Sequence, residues 1–219
     1  MKQAPFRVFI DFDNTITRGD VLDGVIAMFA VDDKWIALEE SWRSGRIGAR
    51  ACLEGQLRSV RASWPELGHL LDGVELDPGF GPLCRWLRRQ GVELTIVSDS
   101  FDLFIARILR RRGIRGVPVY ANRLKLAGGR LSPSFPYHNP GCPKCAHCKK
   151  THFTPRRGDA RKVIYVGDGR SDICPAREAD IVFAKDGLRD YLGEAKIPCI
   201  PFESLGDVLK SLKQKLHGS

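Results

Sequence analysis

Short apolar runs, each closed by an acidic, hydroxylated or glycine-bearing turn, constrain this chain more than any other feature. Residues 7–11, 93–98, 117–120, 162–166 and 180–184 read as strands, with a weaker sixth over 198–202. Most are continuously apolar rather than alternating, the pattern of parallel strands buried on both faces. Between them lie stretches with apolar residues three and four apart, over 81–90, 101–112 and 204–216. That spacing is one face of a helix. Strand–helix alternation of this kind predicts an α/β fold with a mostly parallel, Rossmann-like sheet covered by helices on both sides.

One interval breaks the rhythm. Between Asp13 and Ser98 stand 84 residues, whereas one crossover with its helix needs only about thirty. The surplus holds helical patterns over 21–29, 34–42 and 47–60 and no convincing strand. It returns at Asp77-Pro78-Gly79, a turn signal. The expected organisation is a core from 1–16 and 78–219 with a helical domain over 17–77 inserted after the first strand.

The chain of 219 residues is 43% hydrophobic and 28% charged, a composition that excludes disorder and fibrous repeats. The formal charge of +9 favours anionic partners without choosing among nucleic acid, phosphorylated metabolites and acidic surfaces. No apolar run reaches the ~18–20 residues of a membrane span. The amino-terminal apolar run enters Asp11-Phe12-Asp13 directly, which is unlike a secretory signal. A cytoplasmic protein with no membrane association is expected, its oligomeric state left open.

Four strand-end and loop features carry chemistry. In open parallel sheets, ligands bind outside the carboxyl ends of strands. Asp11 and Asp13, two apart, fall on one side of the first strand's end. Such a pair could hold a hard cation like Mg²⁺, divide nucleophile and acid/base work, or simply cap a turn. Gly167-Asp168-Gly169-Arg170-Ser171-Asp172 places two more carboxylates at another strand end, or caps the next helix. Ser98-Asp99-Ser100 offers hydroxyls and amides to an anion, or a helix cap. Lys149 could neutralise a phosphate and the carboxylates near it, although a lone lysine is ordinarily a surface residue.

In the order Asp-x-Asp-x-Thr, Ser, Lys, Gly-Asp-Gly-x-x-Asp, these features resemble the haloacid dehalogenase-like (HAD) superfamily of phosphatases. The branch is that of phosphoserine phosphatase, near the methylthiopentenyl phosphate phosphatases of methionine salvage and the phosphoethanolamine/phosphocholine phosphatases. The resemblance spans roughly residues 6–192. It implies a Mg²⁺-dependent phosphatase acting on a small phosphorylated metabolite through an aspartyl phosphate. Asp11 would be the nucleophile and Asp13 the acid/base. Ser98 would bind the phosphoryl oxygens, and Lys149 would offset charge. Mg²⁺ would be held by Asp11, the Asp13 carbonyl and Asp168, with Asp172 in support. Substrate contacts would come from Thr15, Asp20, Ser98, Asp99 and Gly169. The matching cap lies where this branch inserts one, and in it Asp20, Arg43 and Arg46 are candidates to face the leaving group. Ser98-Asp99 departs from the Ser-Gly usual in phosphoserine phosphatases.

Cys142, Cys145 and Cys148 form a tight Cys-x-x-Cys-x-x-Cys cluster before Lys149. It reads as a Zn²⁺ site completed by His138, His147 or a distant residue, as a redox pair, or as packed free thiols. A phosphotransferase is the rival within the same chemistry. The rival of another class is a nucleic-acid-binding module. Arg107, Arg110, Arg111, Arg112 and Arg115 cluster at a helix end without aromatic interleaving, so no nucleic-acid partner is expected.

Overall fold

The computed structural model describes residues 4–142, 144–154 and 159–217. In chain order its elements are β1 (Phe6–Ile10), α1 (Val21–Phe29), α2 (Lys34–Arg43), α3 (Ala49–Ser59), α4 (Trp64–Gly73) and α5 (Phe80–Arg89). Then come β2 (Glu93–Phe101), α6 (Asp102–Arg111), β3 (Val119–Ala127), β4 (Arg130–Ser134) and β5 (Lys162–Gly167). The chain closes with α7 (Ile173–Ala176), β6 (Ile181–Ala184), α8 (Asp186–Glu194), β7 (Ile200–Pro201) and α9 (Leu205–His217). The strands form one seven-stranded sheet in the order β4-β3-β2-β1-β5-β6-β7. Every pairing is parallel except β3 with β4.

The apolar runs become the buried middle of this sheet. Val8, Ile10, Ile96, Val97, Ile164 and Val166 are wholly inaccessible to solvent. Helices cover both faces, splitting the core into a larger cluster and a smaller one built on Phe9, Val163, Tyr165, Leu188 and Leu192. Because β1 lies between β2 and β5, the ends of the three strands carrying the acidic and hydroxyl turns are neighbours. Order and register put Ile10 beside Ile96 and Val166.

Five elements depart from the sequence expectation. Helix α4 lies within the insertion where no helix was expected; its start is a Ser63/Glu66 capping box with a proline in the first turn. Strand β3 runs to Ala127 rather than stopping at Tyr120, and turns back as β4. Gly128 and Gly129, with φ of 55° and 71°, supply the left-handed pair that a two-residue hairpin turn requires. Strand β2 continues past Ser98 to Phe101 through a register shift. Helix α8 fills the stretch between the last two strands.

The insertion α1–α4 leaves and rejoins the core along paired backbone. Thr17 bridges Leu76, the Arg18 amide donates to the Glu75 carbonyl at 3.0 Å, and the Asp77 amide to that of Ile16 at 2.8 Å. Its far side touches the sheet edge, where Arg61 bridges Arg130. Among the described residues, no helix is long and apolar enough to cross a membrane.

Candidate active site

Asp11 follows β1 directly, its amide donating to the Val166 carbonyl at 2.9 Å. The chain then turns sharply. Asn14 sits in the left-handed region at φ 54°, which asparagine tolerates well. The Phe12 carbonyl accepts from the Ile16 and Thr17 amides. Asp11 and Asp13 thereby face a cavity of about 240 Å³, whose wall also includes Ser98, Asp99, Asp168 and Gly169 from the ends of β2 and β5. On its other side the inserted helices contribute Asp20, Asp23, Glu39, Arg43 and Gln56.

Lys149 lies behind this wall, at the start of a 3-10 turn over Lys149–Phe153. Its side chain is completely buried. Nζ contacts Asp11 Oδ1 at 2.8 Å and Asp172 Oδ1 at 2.7 Å, and donates to Ser171 Oγ at 2.9 Å. Burial alone would depress its basicity, but Asp11 and Asp172 outweigh it and hold the ammonium well above its ordinary pKa. Asp172 is equally committed. Its Oδ1 also accepts from Tyr165 Oη at 2.5 Å, and its Oδ2 accepts from the amides of Asp168 and Gly169 at 2.9 and 3.1 Å. Burial opposes its charge, yet Lys149 and these donors keep the carboxyl below the usual range.

The other carboxyls are pushed the opposite way. Burial, then Asp172, raises Asp11 well above the usual range against the pull of Lys149. Burial and Asp172 push Asp168 up to about 7, with the Thr15 hydroxyl donating to its Oδ1 at 2.8 Å in opposition. Burial and Asp20 raise Asp13 well above its ordinary value, although the Val21 amide donates to it at 2.9 Å. Ligand oxygens of Asp11, Asp168 and Asp172 lie within 4.8 Å of one another, the one such group of three among the described residues. An all-oxygen, negatively charged cluster with two carboxyls of raised proton affinity suits a hard divalent cation.

The structure thus gathers Asp11, Asp13, Ser98, Lys149, Asp168 and Asp172, with Asp20, Asp99 and Gly169 on the cavity wall. Thr15 requires correction: it is 1% exposed, outside the wall, and its hydroxyl is taken by Asp168 rather than by a ligand. The zinc expectation is not supported either. Cys142, Cys145 and Cys148 form no metal-sized group, and all seven cysteines are free thiols. Both histidines considered for them are engaged, His138 with the Cys145 carbonyl and His147 with the Ser98 carbonyl and His152. Burial pushes the Cys145 thiol up to about 12. Several residues were not singled out from sequence. Tyr165 reads there as strand core, Ser171 as loop, and Asp23, Glu39 and Gln56 as an ordinary solvated helix face.

A family model described as Putative Phosphatase matches residues 6–192. The chain belongs to that phosphatase family. This phosphatase is 28% identical over 211 residues to the 2-hydroxy-3-keto-5-methylthiopentenyl-1-phosphate phosphatase of Brevibacillus brevis, covering 94% of this chain and 95% of that one. It is 27% identical over 226 residues to the polyol phosphate phosphatase of Saccharomyces cerevisiae, covering 96% and 94%. Among solved structures, a phosphoserine phosphatase with a phospho-aspartyl intermediate analogue superposes with a TM-score of 0.70 at 19% identity, covering 96% of this chain and 99% of that chain. A HAD family hydrolase from Salmonella enterica serovar Typhi gives 0.74 at 18%, covering 94% and 70%. These two share the fold of this phosphatase.

Proposed function

We propose that this phosphatase hydrolyses a small phosphomonoester through an aspartyl phosphate on Asp11, with Mg²⁺ as its cofactor. The observation that carries this reading is the convergence of Asp11, Asp13, Ser98 and Asp168 on one cavity, with Lys149 bonded behind them. Phosphoryl transfer asks chiefly for positioning and charge neutralisation. Asp11 attacks phosphorus while Asp13, whose raised pKa keeps it protonated in the first step, delivers its proton to the leaving oxygen. Water then attacks the aspartyl phosphate and Asp13 takes its proton. Ser98 Oγ donates to a phosphoryl oxygen. Lys149 favours the anionic form of Asp11 against the opposing effects of burial and Asp172, and draws charge from the transferring group.

The Asp11 and Asp168 carboxylates, with the Asp13 carbonyl, would hold Mg²⁺, which supplies charge neutralisation across carboxylates and phosphate when bound. Asp172 already accepts four hydrogen bonds, so its part is to organise Lys149 and the Asp168 loop rather than to ligate directly. The helices α1–α4 act as the cap that closes the leaving-group side.

The cap wall indicates what that leaving group is. Asp20, Asp23 and Glu39 line it, and the two guanidiniums on the cavity are engaged, Arg43 donating to Glu39 at 2.8 Å and Arg170 to the Arg43 carbonyl at 2.6 Å. Such a wall accepts hydroxyl or ammonium donors and repels a carboxylate. The names of the relatives, a methylthiopentenyl phosphate phosphatase and a polyol phosphate phosphatase, agree with a hydroxylated leaving group free of negative charge. A panel at fixed Mg²⁺ tests this: polyol phosphates, methylthiopentenyl phosphate, phosphoethanolamine, phosphocholine and phosphoserine. Phosphoserine is expected at least ~10-fold poorer in kcat/KM than the best member. A preference for phosphoserine would overturn the substrate assignment.

A further inference from the structure

Behind Ser98 lies a pair of imidazoles that the chemistry above does not use. His147 is wholly buried, two residues before Lys149. Its Nδ1 stands 2.9 Å from the Ser98 carbonyl oxygen, and its Nε2 stands 2.7 Å from His152 Nε2. Its backbone amide donates to Asp99 Oδ1 at 2.8 Å, and its carbonyl accepts from the Lys149 amide at 2.9 Å. Aromatic rings fix both imidazoles in place. Tyr137 stacks on His147 with centroids 4.8 Å apart, and Tyr120 stacks on His152 at 4.1 Å.

Valence decides the direction of these bonds. A carbonyl oxygen only accepts, so His147 Nδ1 carries the hydrogen. Burial, then the neighbouring His152, lowers the His147 pKa to about 3, so the neutral ring bears no second hydrogen and Nε2 keeps its lone pair. His152 must then donate from Nε2–H. The hydrogen bonds run one way, from His152 to His147 to the Ser98 carbonyl.

We infer that His147 is a positioning residue for phosphoryl transfer, a strut tying the backbone of Ser98 to that of Lys149. It keeps the Ser98 hydroxyl and the Lys149 ammonium in register with Asp11, and His152 keeps the strut in its tautomer. The inference rests on the roles proposed above for Ser98 and Lys149. A buried, fully bonded polar pair has the rigidity this requires. A displacement of about 1 Å in a positioned group costs on the order of 10²-fold in rate.

Three substitutions separate the contacts. His147→Asn retains a donor near Nδ1, His147→Gln retains only an acceptor toward His152, and His147→Phe retains neither. With p-nitrophenyl phosphate and the folded fraction measured for each protein, H147Q and H147F are expected to lose about 10²-fold in kcat. KM should change little by comparison, inhibition by inorganic phosphate should weaken, and H147N should restore most of the rate. Wild-type kcat in H147F, or equal loss in H147N and H147F, would overturn the strut. A measurement on the unaltered protein needs neither folding variants nor turnover. Long-range proton–nitrogen NMR correlations should show Nδ1–H on His147 and Nε2–H on His152, and the opposite tautomers would refute the arrangement. If the wild type hydrolyses no phosphomonoester while these tautomers are found, the phosphatase roles fail and the hydrogen-bonded pair stands.

Discussion

Asp172 accepts hydrogen bonds from a lysine, a tyrosine and two amides, and this saturation makes the site sensitive to very small changes. A Cβ added at Gly167 would stand 2.5 Å from Asp172 Oδ2 and 2.7 Å from its Cγ. The carboxylate cannot step aside without abandoning its donors. Gly167→Ala should therefore cost both stability and rate, seen as a lower Tm together with a reduced kcat on the folded protein; full activity would show that the loop gives way freely. Asp11→Asn keeps shape and volume while removing the nucleophile. It should lower turnover at least ~10³-fold with an unchanged circular dichroism spectrum, and near-full activity would remove Asp11 from its role. The proposed nucleophile, acid/base and lysine stand out in sequence because each follows an apolar strand or a distinctive cluster. Tyr165 does not. One hydroxyl in a buried strand looks like core until the fold aims it at Asp172. Thr15 misled for the converse reason: adjacency in sequence to the acidic pair says nothing of which carboxylate its hydroxyl meets.

At the scale of elements, the 3-10 turn after Cys148 and the loop before it place neutral imidazoles in the interior. His147 and His152 are held down to about 3 and about 4, chiefly by burial, from 6.5. Below pH 6.5 the unfolded chain takes up protons that the folded one refuses. The stability these rings contribute is thus present above 6.5 and is lost as pH falls toward 4 and 3. The raised carboxyls of Asp13 and Asp168 act in the opposite sense, so the effect is read as a difference. The Tm of the wild type should fall relative to that of His152→Phe as pH drops from 7 to 5. A gap independent of pH would contradict it. Element periodicity recovered six of the helices and the parallel strands other than β3 to within one to three residues, because burial on both faces or on one helical stripe dictates composition there; β3 runs seven residues past its expected end. It lost α4, whose apolar stripe is short and whose start is marked by a capping box instead. It also lost β4, an edge strand announced only by Gly128-Gly129 and alternating leucines at 124, 126 and 131.

For the whole molecule, charge is distributed unevenly. The cavity is acidic, but a second one of about 820 Å³ adjoins it along Trp42, Asp99, Arg170 and Ser171, and Arg46 and Lys144 join Arg170 on its wall. In a chain of net charge +9, this wall should draw a phosphate dianion toward the seam between insertion and core. The kcat/KM for a small phosphomonoester should fall several-fold as salt rises to about 0.5 M, with kcat nearly constant; Arg46→Glu should flatten that dependence. A salt-independent kcat/KM in the wild type would show that the wall does not steer. The arginine cluster first noticed on α6 is partly accounted for in the fold itself. Arg107 pairs with Asp72 at 2.8 Å, and Arg112 donates to the Val74 carbonyl at 2.6 Å, fastening α6 to α4.

The insertion begins and ends on adjacent backbone, with Thr17 against Leu76. A loop whose ends already touch can grow or shrink at little entropic cost, about 0.6 kcal/mol for each doubling of its length. Segments of quite different size and lining can be grafted at this seam while the strands beneath keep their register. Descendants of one hydrolytic sheet edge are thereby free to change diet without relearning how to break the ester.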